Sequence, residues 1–311
     1  IPYREAMLRY GTDKPDLRNP LVIIDLSEFF AGADFMPFKG KIVRAIRAPG
    51  AASRPRSFFK AMEKYALGIG MKGLGYITVQ DDRSYKGPID KFLDDPQKQR
   101  LAELCGAEGQ ALSPGDVLYF ISDEPGAVAA LAGQIRRELA SVLGLVDEGR
   151  FDFCFITDYP MYEWNEEAGK IDFTHNPFSM PQGEMDALIS DEPEAILAWQ
   201  YDIVCNGVEL SSGAVRNHRP DVMVKAFEIA GYDERTVAEK FGALYEAFSY
   251  GAPPHAGMAP GVDRIVMLLS EEENIREIIP FPLDSNARNL MLGAPSEVTE
   301  QQLREVHIKL R

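Results

Sequence analysis

Two carboxylates and two guanidinium groups carry the chemistry that the second half of the chain offers. Asp202 and Glu209 flank an Asn-Gly pair between apolar runs, Asp202-Ile203-Val204-Cys205-Asn206-Gly207-Val208-Glu209-Leu210. Asn-Gly in that setting is a strong hairpin signal, because a type I′ turn needs positive φ at both central residues. A two-residue turn fixes the register: Cys205 opposes Val208, Val204 opposes Glu209, and Asp202 opposes Ser211. Side chains alternate along a strand, so Asp202 and Glu209 are expected on one face as diagonal neighbours, about 7–8 Å apart at Cα. Two carboxylates at that reach can share a hard divalent cation such as Mg²⁺. The plain alternative is a solvated acidic face on an ordinary hairpin. Arg216 lies further along the second strand, and simple alternation from Glu209 sends it to the opposite face. A bulge at the Ser211-Ser212-Gly213 step returns it to the carboxylate face, and that bulge is expected here.

The second feature is Pro253-Pro254-His255-Ala256-Gly257-Met258-Ala259-Pro260-Gly261-Val262-Asp263-Arg264, followed by the apolar run Ile265-Val266-Met267-Leu268-Leu269. Small residues such as Gly257 and Gly261 let backbone approach a ligand closely. The apolar run is expected to be a buried core helix with Asp263 and Arg264 in its first turn. An arginine there is not favoured by the helix dipole, which points to an external anion such as a phosphate. A neighbouring carboxylate is the ordinary alternative.

These side chains need a scaffold. Residues 10–20 contain Pro15 and Pro20 among turn formers, so no helix runs through them. Residues 41–48, 73–80 and 116–122 read as strands, and 57–69 and 127–143 as helices, the last closed by Gly144. This alternation suggests a compact α+β or α/β module. Beyond residue 150, the segment 151–158 alternates as a strand and 194–201 looks helical. Residues 201–216 form the hairpin, and 220–230, 235–250 and 262–269 read as helices. Strands followed by helices fit an antiparallel sheet backed by helices.

The chain has 311 residues and a net charge of −15, which by itself argues against a dominant phosphate-backbone binder. One window departs from that balance. Between Phe35 and Met62 lie Lys39, Lys41, Arg44, Arg47, Arg54, Arg56 and Lys60 with no acidic residue. They either face phosphates or form a basic surface balanced by acidic neighbours. No apolar stretch reaches the roughly 18–20 residues of a membrane span. The start, Ile1-Pro2-Tyr3-Arg4-Glu5, has no apolar signal core and no initiator Met, as in a piece of something longer. Cys105, Cys154 and Cys205 form neither a disulfide framework nor a zinc spacing, which suggests a reducing cytoplasm.

Gly257, Gly261, Asp263 and Arg264 before an apolar helix resemble motif 3 of class II aminoacyl-tRNA synthetases. Further stretches resemble the bacterial type of aspartyl-tRNA synthetase, in that family's order. They are Arg9-Tyr10-Gly11 with residues 13–18, Asp158-Tyr159-Pro160-Met161, His175-Asn176-Pro177-Phe178, Tyr201-Asp202 with Asn206–Glu209, Gly213-Ala214-Val215-Arg216, and residues 253–257. The resemblance covers essentially the whole chain. It implies an α+β fold, the class II antiparallel sheet with helices, carrying an inserted α/β module. The divisions it implies are residues 1–27 (catalytic segment), 28–145 (insertion domain) and 146–311 (distal catalytic part).

The resemblance also implies an activity: ATP-dependent activation of aspartate, then transfer to tRNA. By motif position, Asp202 and Glu209 would hold Mg²⁺ and the ATP phosphates, and Arg216 the side-chain carboxylate of aspartate. Arg264, with Asp263, would meet adenine and the γ-phosphate. Gly257 and Gly261 would line the adenosine pocket. His175 would approach the aminoacyl or phosphate end; many family members have a second His where this chain has Asn176. Aspartate, ATP and tRNA are the implied partners, and the complete enzyme is expected to be a cytoplasmic homodimer. Motifs 1 and 2 and the anticodon-binding domain do not occur in the chain, so it is expected to be inactive alone and to expose apolar surface. The alternatives are a tRNA-docking module related to an amidotransferase subunit, or a paralogous class II synthetase for asparagine.

Overall fold

Residues 1–32, 35–106 and 111–310 are described in the computed structural model. The chain divides into two compact units, residues 1–259 and 260–311.

The first unit opens with helix α1 (Tyr3–Tyr10) and continues into a five-stranded sheet. Its strands are β1 (Ile23–Asp25), β2 (Ile42–Ala48), β3 (Gly75–Val79), β4 (Tyr85–Lys86) and β5 (Val117–Asp123), in spatial order β1-β2-β5-β3-β4. Helices α2 (Arg56–Gly68), α3 (Asp95–Leu104) and α4 (Pro125–Leu143) cover it. Two apolar clusters explain the pattern. Ile46, Tyr119 and Ile121 pack with Met62 of α2 and Ile135 and Leu139 of α4. Val43, Ala45, Leu118 and Phe120 pack with Leu101 of α3. Strand β5 is therefore buried on both faces, which is why Val117-Leu118-Tyr119-Phe120-Ile121 reads as an unbroken apolar run.

Every strand pair in this sheet is antiparallel. The module is thus α+β, which corrects the expected α/β winding. The helices of an α/β unit return the chain to an adjacent parallel strand; here α2 joins β2 to β3 and α3 joins β4 to β5, pairs that run the same way but are separated by an antiparallel strand, β5 or β3. Helix α4 ends as expected at Gly144, in the left-handed region at φ 66°. Helix α3 was not anticipated. Its start carries a capping box, with Gln97 N donating to Asp94 Oδ1 at 2.8 Å and Asp94 N to Gln97 Oε1 at 2.9 Å, a signal readable from Asp94-x-x-Gln97.

The second sheet has the order β11-β10-β9-β6, with β6 (Phe153–Pro160), β9 (Leu197–Cys205), β10 (Val208–Val215) and β11 (Ala256–Pro260). A small hairpin, β7 (Tyr162–Asn165) and β8 (Lys170–Phe173), and helices α5 (Glu184–Ser190), α6 (Pro220–Ile229) and α7 (Glu234–Ser249) complete this part. Met161, Tyr162, Met180, Ala198, Val222 and Ala226 form its core. The helix expected over 194–201 is instead one turn of 3₁₀ helix followed by β9. Pairing with both β6 and β10 outweighs the weak helical spacing of a short segment. On one face of this sheet Phe153, Phe155 and Trp199 are 61%, 54% and 49% exposed, an apolar surface of the kind expected.

The second unit contains α8 (Val262–Leu269) and α9 (Glu300–Glu305). The apolar run does form a helix, but not a buried one: Val262, Val266 and Leu269 are exposed, and Met267 is its one buried residue. A segment this short has few apolar partners of its own.

One contact ties the first helix to α4. Gly11 has φ 70°, and a Cβ on it would lie 2.3 Å from the carbonyl oxygen of Ala129; a Cβ on Gly133 would lie 2.7 Å from Gly11 O. Gly11→Ala combines backbone strain with overpacking and is expected to destabilise the chain by about 2–4 kcal/mol, measured by urea unfolding.

Candidate functional site

The hairpin β9–β10 forms as its turn residues require, with φ 52° at Asn206 and 83° at Gly207. Cys205 opposes Val208 and Val204 opposes Glu209 as expected. A bulge then follows, at Leu210 rather than at Ser211–Gly213. Ser211 therefore opposes Ile203, and Ser212, not Ser211, opposes Asp202. Glu209 precedes the bulge, so it still shares a face with Val204 and Asp202. Ala214 opposes Gln200, and alternation from there puts Arg216 on the same face. The bulge lies earlier than anticipated but has the same consequence.

Asp202 is buried, and the Tyr159 hydroxyl donates to its Oδ2 at 2.7 Å. Burial, with this bond and the Asp202 charge, raises the Tyr159 pKa far above its ordinary value. The His175 ring meets the Tyr159 ring edge-on, with centroids 4.8 Å apart. His175 thus joins the acidic face through Tyr159. It also lines a cavity of about 300 Å³ with Asp172, Phe173, Phe227 and Lys240, a cavity that Asp202, Glu209 and Arg216 do not line.

Glu209 is met by Lys14, with Nζ 3.6 Å from Oε2; Lys14 also bonds Asp13 at 2.6 Å. Burial works against the Lys14 ammonium. The Asp13 hydrogen bond and the charges of Asp13, Glu209 and Asp202 outweigh it and raise the pKa. Lys14 and Tyr159 lie inside the family-like motifs, but the sequence assigns neither a role at the site. Nothing local marks either one, because each meets the carboxylates only through the tertiary fold.

Arg216 is half-buried and forms no ion pair among the described residues. Its guanidinium lies over the Phe178 ring, 5.5 Å from the centroid, and its backbone N–H donates to the His255 carbonyl at 2.9 Å. Gly257 is exposed; its carbonyl accepts from the Tyr201 hydroxyl at 3.1 Å, and a Cβ on it would meet open space. Gly261, Asp263 and Arg264 belong to the second unit, where Gly261 caps α8 and the other two stand in its first turn.

Among the described residues no group of three or more His, Cys, Asp or Glu side chains could hold a metal. The hairpin therefore supplies at most two carboxylates. That suits Mg²⁺, which keeps several waters and takes one or two protein carboxylates plus substrate phosphates. No helix among the described residues is long and apolar enough to cross a membrane.

Lys39 aside, the basic window separates into two groups. Lys41, Arg44 and Arg47 pair with Asp123, Asp25 and Asp116, as a balanced surface would. Arg54, Arg56 and Lys60, around the start of α2, are exposed and form no ion pair among the described residues.

Tyr159→Phe removes the donor to Asp202 and is expected to lower stability by about 1–2 kcal/mol. The folded state holds this phenol protonated above pH 10, where a free tyrosine ionises. Its contribution is complete below that pH and is lost as pH rises above it. Urea unfolding between pH 7 and 11 is expected to show a shallower alkaline decline in the variant.

A profile of tRNA synthetases class II (D, K and N) matches residues 1–285. An aspartate–tRNA ligase from Streptomyces coelicolor is 54% identical over 311 residues, covering 100% of this chain and 52% of the relative. An aspartate–tRNA(Asp/Asn) ligase from Rickettsia bellii is 53% identical over 319 residues, with 100% and 52% covered. Among solved structures, an aspartyl-tRNA synthetase from Entamoeba histolytica aligns at 27% identity, covering 50% of this chain and 26% of that one, with a TM-score of 0.34. The chain spans about half the length of the curated relatives it matches.

Proposed function

The chain belongs to the class II tRNA synthetases of the D, K and N group, and from that premise we propose that it is the distal half of an aspartate–tRNA ligase. Its substrates are then aspartate, ATP and tRNA. The α-carboxylate of aspartate attacks the α-phosphate of ATP and pyrophosphate leaves. The aspartyl group then passes from the adenylate to a ribose hydroxyl of tRNA. Neither step needs a protein nucleophile, so positioning and charge neutralisation carry the rate.

The observation that carries this reading is the shared face of Asp202, Glu209 and Arg216. Arg216 takes the side-chain carboxylate of aspartate; a planar fork lacking a carboxylate partner among the described residues, backed by the Phe178 ring, suits bidentate recognition. Asp202 and Glu209 would hold Mg²⁺, which would neutralise phosphate charge when bound. Tyr159 fixes the Asp202 carboxylate by donating to one oxygen. Lys14 offsets the acidic charge beside Glu209. His175 stands over Tyr159 at the aminoacyl end, Gly257 and Gly261 admit the adenosine, and Arg264 with Asp263 serves adenine and the γ-phosphate.

In this reading residues 28–145 are the insertion module, although its sheet already starts at Ile23. The exposed apolar face of β6 and β9 is covered in the complete homodimer, which functions in the cytoplasm. The chain alone lacks the groups of motifs 1 and 2.

The test is aspartate-dependent ATP–pyrophosphate exchange. The complete ligase is expected to catalyse it and the isolated chain is not; exchange by the chain alone overturns the half-enzyme assignment. In the complete protein Arg216→Met is expected to raise KM for aspartate by about 100-fold, equivalent to roughly 3 kcal/mol, and Arg216→Lys to recover little of it, since an ammonium cannot make the bidentate pair. An unchanged KM for aspartate removes Arg216 from the site.

The exposed cations around the start of α2 favour an RNA contact on the module. Charge reversal of Arg54, Arg56 and Lys60 is expected to weaken tRNA binding by this chain and to lower the salt slope by about one per cation removed. Filter binding from low to moderate salt checks this; an unaltered slope assigns these cations to solvent. Salt-dependent tRNA binding without exchange activity in the complete protein would support the docking-module reading.

A further inference from the structure

Arg136 of α4 is the largest fully buried side chain among the described residues, at 1% exposure, and no carboxylate pairs with it there. An enclosed guanidinium is unfavourable unless its donors are satisfied. Here Nε donates to Leu21 O at 2.6 Å, and Nη2 donates to Asn19 O at 2.8 Å and Asp16 O at 3.1 Å. The Tyr10 ring lies beneath it, 4.9 Å from the guanidinium carbon. Burial pushes its pKa down to about 10, which leaves it charged at neutral pH.

The three accepting carbonyls belong to one short stretch, residues 16–21. Asn19 reinforces it, donating from Nδ2 to Arg136 O at 3.2 Å and accepting from Leu21 N at 2.9 Å. Asp16 grips Arg18 through Nε at 3.0 Å and Nη2 at 2.8 Å. The same stretch comes close to the hairpin turn: a Cβ on Gly207 would lie at ordinary contact distance, 3.6 Å from Asp16 Cβ and 3.8 Å from Lys14 O. Lys14 then reaches Glu209. An unbroken line of contacts runs from α4 through residues 14–21 to the acidic hairpin.

We propose that Arg136 is a positioning residue for the candidate site: from the helix covering the five-stranded sheet, it clamps residues 16–21 and so holds Lys14 against Glu209 and the stretch around Asp16 against the hairpin turn. Its functional meaning rests on reading that hairpin as the ATP and metal face. A lysine at 136 keeps the charge but cannot span the carbonyls of Asp16, Asn19 and Leu21 with one planar fork.

Hydrogen exchange on this chain tests the clamp without any activity. In Arg136→Lys the amides of residues 12–18 and 204–209 are expected to exchange about tenfold faster or more, with those of β2 and β5 unchanged. Uniform acceleration that includes β2 and β5 makes Arg136 a mere core residue and overturns the proposal. So does an unchanged loop, or a faster loop with an unchanged hairpin. If Arg136→Lys does not fold, Tyr10→Leu removes the ring beneath the guanidinium and is expected to give the same pattern at smaller amplitude, with the same overturning results.

Kinetics of the complete ligase supply the second readout. Arg136→Lys is expected to raise KM for ATP about fivefold or more with a smaller change in kcat, and to add nothing to the effect of Lys14→Met. Additive effects overturn the proposal. A wild-type protein without exchange activity, together with the expected hydrogen-exchange pattern, sinks the ligase reading and leaves the clamp standing.

Discussion

The tight turn at Asn206-Gly207 decides which side chains of β9 and β10 share a face, and the acidic site depends on that choice. Both residues sit at positive φ, so the turn admits one register. The Asn206 side chain anchors it to the chain entering β6, accepting from Asp152 N at 3.0 Å and donating to Arg150 O at 2.8 Å. A slip of one residue would send Asp202 to the opposite face. The bulge at Leu210 is the complementary device: it adds one residue after Glu209, so alternation resumes with Arg216 on the carboxylate side.

Two acids on one face repel each other, and the fold offsets this from both sides. Tyr159 satisfies the buried Asp202 from β6, and Lys14 approaches Glu209 from the loop after α1. These are neutralising contacts of modest individual strength. That loop is in turn held by a buried guanidinium on a helix of the other sheet. The five-stranded module and the acidic hairpin are therefore mechanically continuous within the first unit.

Membership in the class II synthetases gives the apolar surfaces a physical sense. Phe153, Phe155 and Trp199 stand exposed on one sheet face, and α8 turns Val262 and Leu269 outward. Large exposed apolar patches mark contact surfaces. The chain spans about half the length of its relatives, and in the proposed function these surfaces meet the rest of the enzyme.

The sequence by itself determined much of this protein. Asn-Gly between apolar runs specified the hairpin and the shared face of Asp202 and Glu209. Gly144 marked the end of α4, and the ordered motifs identified the family. These features are local: they depend on φ preferences, on side-chain period and on residue identity at short range. The tertiary structure alone decided the rest. It turned residues 197–201 into a strand by pairing them on both sides, made the module antiparallel, and moved the bulge to Leu210. It also brought Lys14, Tyr159 and Arg136 to bear on the hairpin from distant parts of the chain. No spacing rule reaches such contacts, because their free energy comes from desolvation and from carbonyls and charges that meet only when the sheets and helices pack.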